Sequence, residues 1–325
     1  MSGFTWHGGR LAEARAVYGE GEWIDLSTGI NPIPWPGVCE VEIDWTALPD
    51  PEALMALEQT AAAHFDVDAA HVCAIPGSEI GLRLLGRMLD LPARFLVPSY
   101  RTHGEVFARS RPISGGEYLP DEPTALLLAN PNNPDGRIFP AERLLHWLDE
   151  LERREGWLIV DEAYADAVPG SKLAEAVGDD RRLILLRSFG KFFGLPGVRL
   201  GFLIAPRAIV AGARQMLGEW PVSAAAVALG TAAYRDRGWI EAMTARLPRQ
   251  AARLDALLAQ YGFAARGNCP LFRLLEVEDG HALFDRLARR AILTRPFADH
   301  PRWLRIGLPG DEAAWSRLES ALADG

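Results

Sequence analysis

Short apolar runs rich in Val, Ile and Leu alternate along this chain with longer segments whose apolar residues recur at helical spacing. That is the pattern of a mostly parallel sheet covered by helices on both faces. The runs predict strands over Val72–Ile75, Arg94–Val97, Ala125–Ala129, Trp157–Val160, Leu183–Arg187 and Leu200–Ile204. Helices are predicted between them over Glu52–Phe65, Glu79–Leu91, His103–Ser110, Pro140–Arg154 and Arg207–Leu217. After Pro221 the pattern changes to a long helical stretch through Tyr261 and then a short α+β tail. The tail has strands near Leu271–Leu275 and Trp303–Leu308 and helices near His281–Arg290 and Asp311–Ala323. Residues 1–45, with Pro32, Pro34 and Pro36 in succession, read as an extended segment lying across another surface. The expected division is that segment, a large α/β domain over 46–220 and a small α+β domain over 221–325.

Composition narrows the classes of partner. With 325 residues, 49% of them hydrophobic, the chain can bury one large core and a second smaller one. A formal net charge of −9 argues against a nucleic-acid or anionic-membrane binder, so an anionic ligand must meet locally placed arginines. Cys39, Cys73 and Cys269 are widely spaced and odd in number, which fits a reducing compartment and neither a disulfide framework nor a thiolate metal site. Met1–Gly9 has no basic stretch followed by an apolar run, and no segment approaches the roughly 20 apolar residues of a membrane span. A cytoplasmic location is expected.

Candidate chemistry gathers where predicted strands end. Asp161-Glu162-Ala163-Tyr164 follows the run Trp157–Val160. In open α/β sheets ligands sit beyond the carboxyl ends of the strands, so a carboxylate there faces a crevice; the plain alternative is an Asp capping a turn. Ser188-Phe189-Gly190-Lys191 follows the run Leu183–Arg187, with Phe192 and Phe193 beyond. Shielding an amine from water favours its neutral form, which Schiff-base chemistry requires. Arg199 precedes the next strand and can return to the same rim. Asn130-Pro131-Asn132-Asn133-Pro134-Asp135-Gly136 makes a tight turn that also puts an Asn amide at that rim. Pro76-Gly77-Ser78-Glu79 leaves a strand and opens a helix. Free N–H groups, a glycine permitting close approach and a hydroxyl make such a start either a phosphate site or an ordinary cap. No strand is followed by G-x-G-x-x-G, which disfavours a nicotinamide dehydrogenase.

Together these residues resemble the fold-type-I enzymes that use pyridoxal 5′-phosphate (PLP), over nearly the whole chain, and within them the histidinol-phosphate aminotransferase branch. The resemblance implies a Schiff base on Lys191, with Asp161 on the pyridine nitrogen and Asn133 and Tyr164 on the ring hydroxyl. It implies a cofactor phosphate held by Gly77, Ser78, Glu79, Ser188 and Arg199, and places His103 where the family has its stacking ring. Arg305 resembles the arginine that grips the substrate carboxylate, and Arg295 the one that meets a substrate phosphate. Trp6-His7-Gly8-Gly9 and Ser27-Thr28-Gly29-Ile30-Asn31-Pro32 resemble segments of the cobalamin-pathway L-threonine-O-3-phosphate decarboxylases, which adds His7, Gly8, Gly9 and Asn31 to the expected substrate residues. Leu48 stands where the family often has a Tyr that reaches a neighbouring subunit. The implied activity is decarboxylation of a small phosphorylated amino acid by a homodimer. The alternatives are a histidinol-phosphate-type aminotransferase and a non-catalytic PLP-binding partner of the cobinamide-linking machinery.

Overall fold

A computed structural model describes residues 3–115, 121–168 and 173–323. The chain divides into two compact units, one of Pro34–Asn133 with Ile138–Ala242 and one of Met1–Ile33, Pro134–Arg137 and Met243–Gly325.

The larger unit is built on a seven-stranded sheet in the order Val72–Ile75, Gly201–Ile204, Leu183–Ser188, Trp157–Glu162, Ala125–Ala129, Ala93–Leu96, Ser110–Ile113. Pairing is parallel from Ser110–Ile113 through Leu183–Ser188, and Gly201–Ile204 runs antiparallel to both of its neighbours. Val72–Ile75 and Ala125–Ala129 are buried at every position because helices cover both faces, which is why they read as unbroken apolar runs. Helix Ser78–Met88 lays Leu82 and Leu85 into the core that contains Ile75, Ile159, Ile184 and Leu186.

Two expectations here need correction. The helix predicted over His103–Ser110 is a single turn, Thr102–Glu105, followed by an edge strand, Ser110–Ile113. Arg111 and Pro112 are exposed on that strand, so it lacks the apolar run that marks an inner one. The helical stretch after Pro221 is two helices, Ala224–Arg235 and Arg237–Gln260. Asp236 divides them, accepting from Trp239 N at 3.0 Å and from Trp35 Nε1 at 2.9 Å.

In the smaller unit a four-stranded antiparallel sheet has the order Arg295–Pro296, Trp303–Gly307, Phe272–Glu276, Ala265–Arg266. Ile24–Asp25 pairs in parallel with Ile292–Leu293. The N-terminal segment is not wholly extended as expected: Leu11–Tyr18 is a helix, and the Phe4 and Tyr18 rings pack on Phe284 at 5.2 and 6.3 Å between centroids. Among the described residues no helix is long and apolar enough to cross a membrane.

Candidate active site

In the larger unit Asn133, Asp161 with Tyr164, and Ser188 with Lys191 lie at or beyond the carboxyl ends of three adjacent parallel strands. Asp161 is the penultimate residue of Trp157–Glu162, buried, with its Oδ1 accepting from Ala163 N at 3.1 Å. Its Oδ2 lies 3.3 Å from Nε2 of His103, which is fully buried. The other ring nitrogen of His103 is buried without a hydrogen-bond partner among the described residues. The turn Thr102–Glu105 that replaces the expected helix aims this imidazole at the carboxylate. Edge-on to the imidazole, at 5.9 Å, stands Tyr100, whose hydroxyl donates to Glu79 Oε2 at 3.1 Å. Burial pushes the Tyr100 hydroxyl up to about 12, and the neighbouring Glu79 carboxylate adds to the shift, so it remains a donor throughout the physiological range.

Lys191 lies in the short helix Phe189–Phe192 that follows Leu183–Ser188, with its Nζ 5.7 Å from the centre of the Tyr164 ring. Behind it Phe189 and Phe193 stack at 4.5 Å, and Phe193 stacks on Trp239 at 5.5 Å. Phe189, Phe192 and Phe193 are fully buried, so the short helix that carries the amine is packed into the core. Asn133 is buried at the end of the turn after Ala125–Ala129, where the Asn130 side chain bonds Phe139 in both directions at 2.8 and 3.1 Å.

The residues expected around a phosphate form a cradle. Helix Ser78–Met88 has no side-chain cap, and Gly77 before it takes φ +95°, a conformation open to glycine. A Cβ at Gly77 would lie 2.8 Å from an Arg199 guanidinium nitrogen, so the glycine is what lets Arg199 lie against the helix start. Ser188 pairs with Gly201 in the sheet, and a Cβ at Gly201 would lie 2.8 Å from Ser78 N. A helix N-terminus and a guanidinium therefore lie together with Ser78 and Ser188 close by in the chain, a donor set suited to a phosphate dianion. With a buried carboxylate, an imidazole and an amine on adjoining strand ends, these residues fit a phosphorylated pyridine aldehyde.

A feature missed in the sequence lies directly behind. Arg187, one residue before Ser188, is buried and paired to Glu162 and to Asp166 at 2.8 Å each, with its guanidinium 5.0 Å from the Phe65 ring. Desolvation raises Asp166, but the His64 hydrogen bond and the Arg187 charge outweigh it and hold the carboxyl below the ordinary range. A charged residue beside Asp161, inside a run otherwise apolar, was the signal available for Glu162.

In the smaller unit Arg295 and Arg305 are both buried and stand directly opposite each other in an antiparallel pair, which puts them on the same face of the sheet. Arg305 Nη2 donates to Ser27 O at 2.5 Å, and its guanidinium lies 5.0 Å from the Phe272 ring. Arg295 Nη2 donates to Trp6 O at 3.3 Å and lies over Phe297 at 4.8 Å. Gly8 and Gly9 run beside Ser27, with Gly9 N donating to Ser27 Oγ at 2.8 Å. His7 is exposed, and Asn31 is buried with its side-chain oxygen accepting from Ile33 N at 3.1 Å. Thus the sequence-predicted residues fall into a cofactor-type cluster in one unit and an anion-type cluster in the other. Asn31, in the second of these units, also closes a local turn through Ile33 N.

The same chain matches the family model for aminotransferase class I and II over residues 115–322. It is 41% identical to a threonine-phosphate decarboxylase of Pseudomonas aeruginosa, over 97% of this chain and 96% of that one. It is 30% identical to a histidinol-phosphate aminotransferase of Cupriavidus pinatubonensis, over 78% of this chain and 71% of that one. Among solved structures, the histidinol-phosphate aminotransferase of Sinorhizobium meliloti, in complex with pyridoxal-5′-phosphate, shares its fold. The TM-score is 0.82 at 22% identity, covering 97% of this chain and 94% of the other. By the extent of the family match and by a near full-length relative at 41% identity, this protein belongs to the aminotransferase class I and II family.

Proposed function

We propose that this protein is a PLP-dependent enzyme that decarboxylates L-threonine O-3-phosphate to (R)-1-amino-2-propanol O-2-phosphate, a product suited to the nucleotide loop of cobalamin. The observation that carries the substrate class is the pair of buried arginines on one sheet face, Arg295 opposite Arg305, because two guanidinium groups side by side can hold the two anions of one small molecule. A phosphorylated amino acid offers a carboxylate and a phosphate. The near full-length likeness to a threonine-phosphate decarboxylase supports the choice of reaction.

When bound, PLP supplies an electron sink for the pair left on Cα as carbon dioxide departs. The chain's own residues hold, orient and move protons. In this reading Lys191 Nζ would hold the cofactor at its aldehyde carbon and would supply the proton that Cα takes up. Asp161 would keep the pyridine nitrogen protonated, and His103, 3.3 Å from that carboxylate, would fix the carboxylate's orientation. Asn133 and Tyr164 would meet the ring hydroxyl, while Gly77, Ser78, Glu79, Ser188 and Arg199 would grip the cofactor phosphate. Arg305 takes the substrate carboxylate and Arg295 the substrate phosphate, with His7, Gly8 and Gly9 beside it. The net reaction consumes one proton and releases one carbon dioxide per substrate.

A homodimer belongs to the same proposal. Trp45, Leu48 and Met55 are exposed, and Leu48 lines an apolar cleft of about 520 Å³. Sedimentation of the purified protein tests it, and an active monomer would remove it. The reaction is tested with carboxyl-labelled L-threonine O-3-phosphate, with and without 2-oxoglutarate. Label in carbon dioxide without the oxo acid supports decarboxylation; strict dependence on the oxo acid with label retained would make the enzyme an aminotransferase.

A further inference from the structure

We propose that Ser27 is a positioning residue that latches the His7–Gly9 segment beside the substrate-binding arginines, and so governs how tightly a phosphorylated substrate is held. The inference rests on the assignment of that segment and those arginines to the substrate.

Ser27 is 1% exposed and makes four hydrogen bonds to three partners through three different atoms. Its N donates to Asp25 Oδ1 at 2.8 Å and its hydroxyl donates to the same oxygen at 2.5 Å. A serine hydroxyl has one hydrogen, so once that hydrogen is committed to a carboxylate the oxygen can only accept. What it accepts is the Gly9 N–H, at 2.8 Å. The Ser27 carbonyl oxygen in turn accepts from Arg305 Nη2 at 2.5 Å. Asp25 therefore sets the polarity of the hydroxyl, the hydroxyl sets the place of Gly9, and the carbonyl sets the place of Arg305.

The anchor is itself held fast. Leu26, one residue before, donates to Leu293 O and accepts from Gly307 N, both at 2.7 Å, so Asp25–Ser27 is wedged between two strands. The segment above it is fitted to the anchor. A Cβ on Gly8 would lie 2.4 Å from Ser27 O, which no residue larger than glycine can meet without displacement. Gly9 takes φ +82°, which again favours glycine. Both glycines of His-Gly-Gly thus have a physical reason, and both reasons refer to the path over Ser27. Trp6, at the other end of this short segment, gives its carbonyl to Arg295 at 3.3 Å. One buried serine consequently ties the exposed His7 to a fixed distance from two arginines.

The test uses Ser27→Ala, which removes the hydroxyl and leaves the carbonyl for Arg305. Hydrogen exchange of the peptide covering residues 4–10, read by mass spectrometry with the cofactor-loaded protein, should accelerate about fivefold, the factor supplied by one hydrogen bond of ordinary worth. KM for L-threonine O-3-phosphate should rise by a similar factor while kcat falls less. Gly8→Ala, which pushes the segment off the anchor without touching the hydroxyl, should give the same acceleration in the same peptide. Unchanged exchange there in both variants would overturn the latch, as would a uniform acceleration across all peptides, which marks a merely structural serine. Should exchange respond as expected while L-threonine O-3-phosphate is not turned over even by the unmodified protein, the latch stands and the functional reading falls.

Discussion

Glu162 and Arg187 stand opposite each other across two parallel strands and are joined by a buried ion pair 2.8 Å long, one residue beyond Asp161 on one strand and one residue before Ser188 on the other. Successive residues of a strand point to opposite faces. The pair therefore clamps the strand ends from the side away from Asp161 and Ser188, and keeps the supports of a cofactor carboxylate and a cofactor phosphate in register. Glu162→Gln takes one of two carboxylates from the buried Arg187, which keeps Asp166, whereas Arg187→Met removes the cation from both; the second should lower stability by about 3–5 kcal/mol and the first by less. Replacing both at once with apolar residues should cost less than the sum of the single changes. Chemical denaturation measures all three, and additive losses would mean that the two side chains do not act as a pair.

Asp166, on the other side of Arg187, gives this network a pH dependence. Its carboxyl is held below the ordinary range by His64 and Arg187 against the opposing push of desolvation. A group depressed in the folded state adds stability that is complete above its unfolded value of about 3.9 and disappears as pH falls through the folded value. Acid denaturation of the unmodified protein should therefore steepen below about pH 4. Asp166→Asn should flatten that limb, and parallel pH profiles for the two proteins would refute the assignment.

Arg295→Ala and Arg305→Ala should differ in kind. Removing one partner of a buried charge contact typically costs about 2–5 kcal/mol, so each should lower kcat/KM by at least about tenfold. Loss of Arg305 should penalise every amino acid, with or without a phosphate. Loss of Arg295 should harm L-threonine O-3-phosphate far more than threonine, since only the former carries a phosphate dianion. Equal losses on both substrates would show that Arg295 does not read the phosphate, and His7 with its two glycines would be the next group to alter.

What could be read from the sequence follows from which forces are local. Inner strands such as Ala125–Ala129 were legible because burial on both faces demands an unbroken apolar run. The edge strand Ser110–Ile113 was not, since an edge tolerates Arg111 and Pro112 facing water. Helix Leu11–Tyr18 escaped notice because Arg10 gives it no side-chain cap and Ala14 is its one buried residue. Lys191, Asp161 and the Gly77–Ser78 turn were visible as chemistry placed at strand ends. Ser27 was not visible as an anchor, because its partners Gly9 and Arg305 lie 18 and 278 residues away and no local pattern announces them. Arg187 was hidden for a similar reason, closing an apolar run whose charge is matched by Glu162 on the neighbouring strand and by Asp166 beyond it.

The most direct test of the account is reduction of the cofactor-loaded protein with borohydride, followed by peptide mapping. The chain has only two lysines, Lys172 and Lys191, so the outcome is unusually clear. Reduction fixes the cofactor to whichever amine carries it, adding a phosphopyridoxyl mass to a single peptide and ending the yellow absorption of the loaded protein. This mass is expected on the peptide containing Ser188-Phe189-Gly190-Lys191, and Lys191→Ala should abolish both the label and turnover while the fold is retained. Label on Lys172 or on the N-terminal amine, or full turnover by Lys191→Ala, would contradict it.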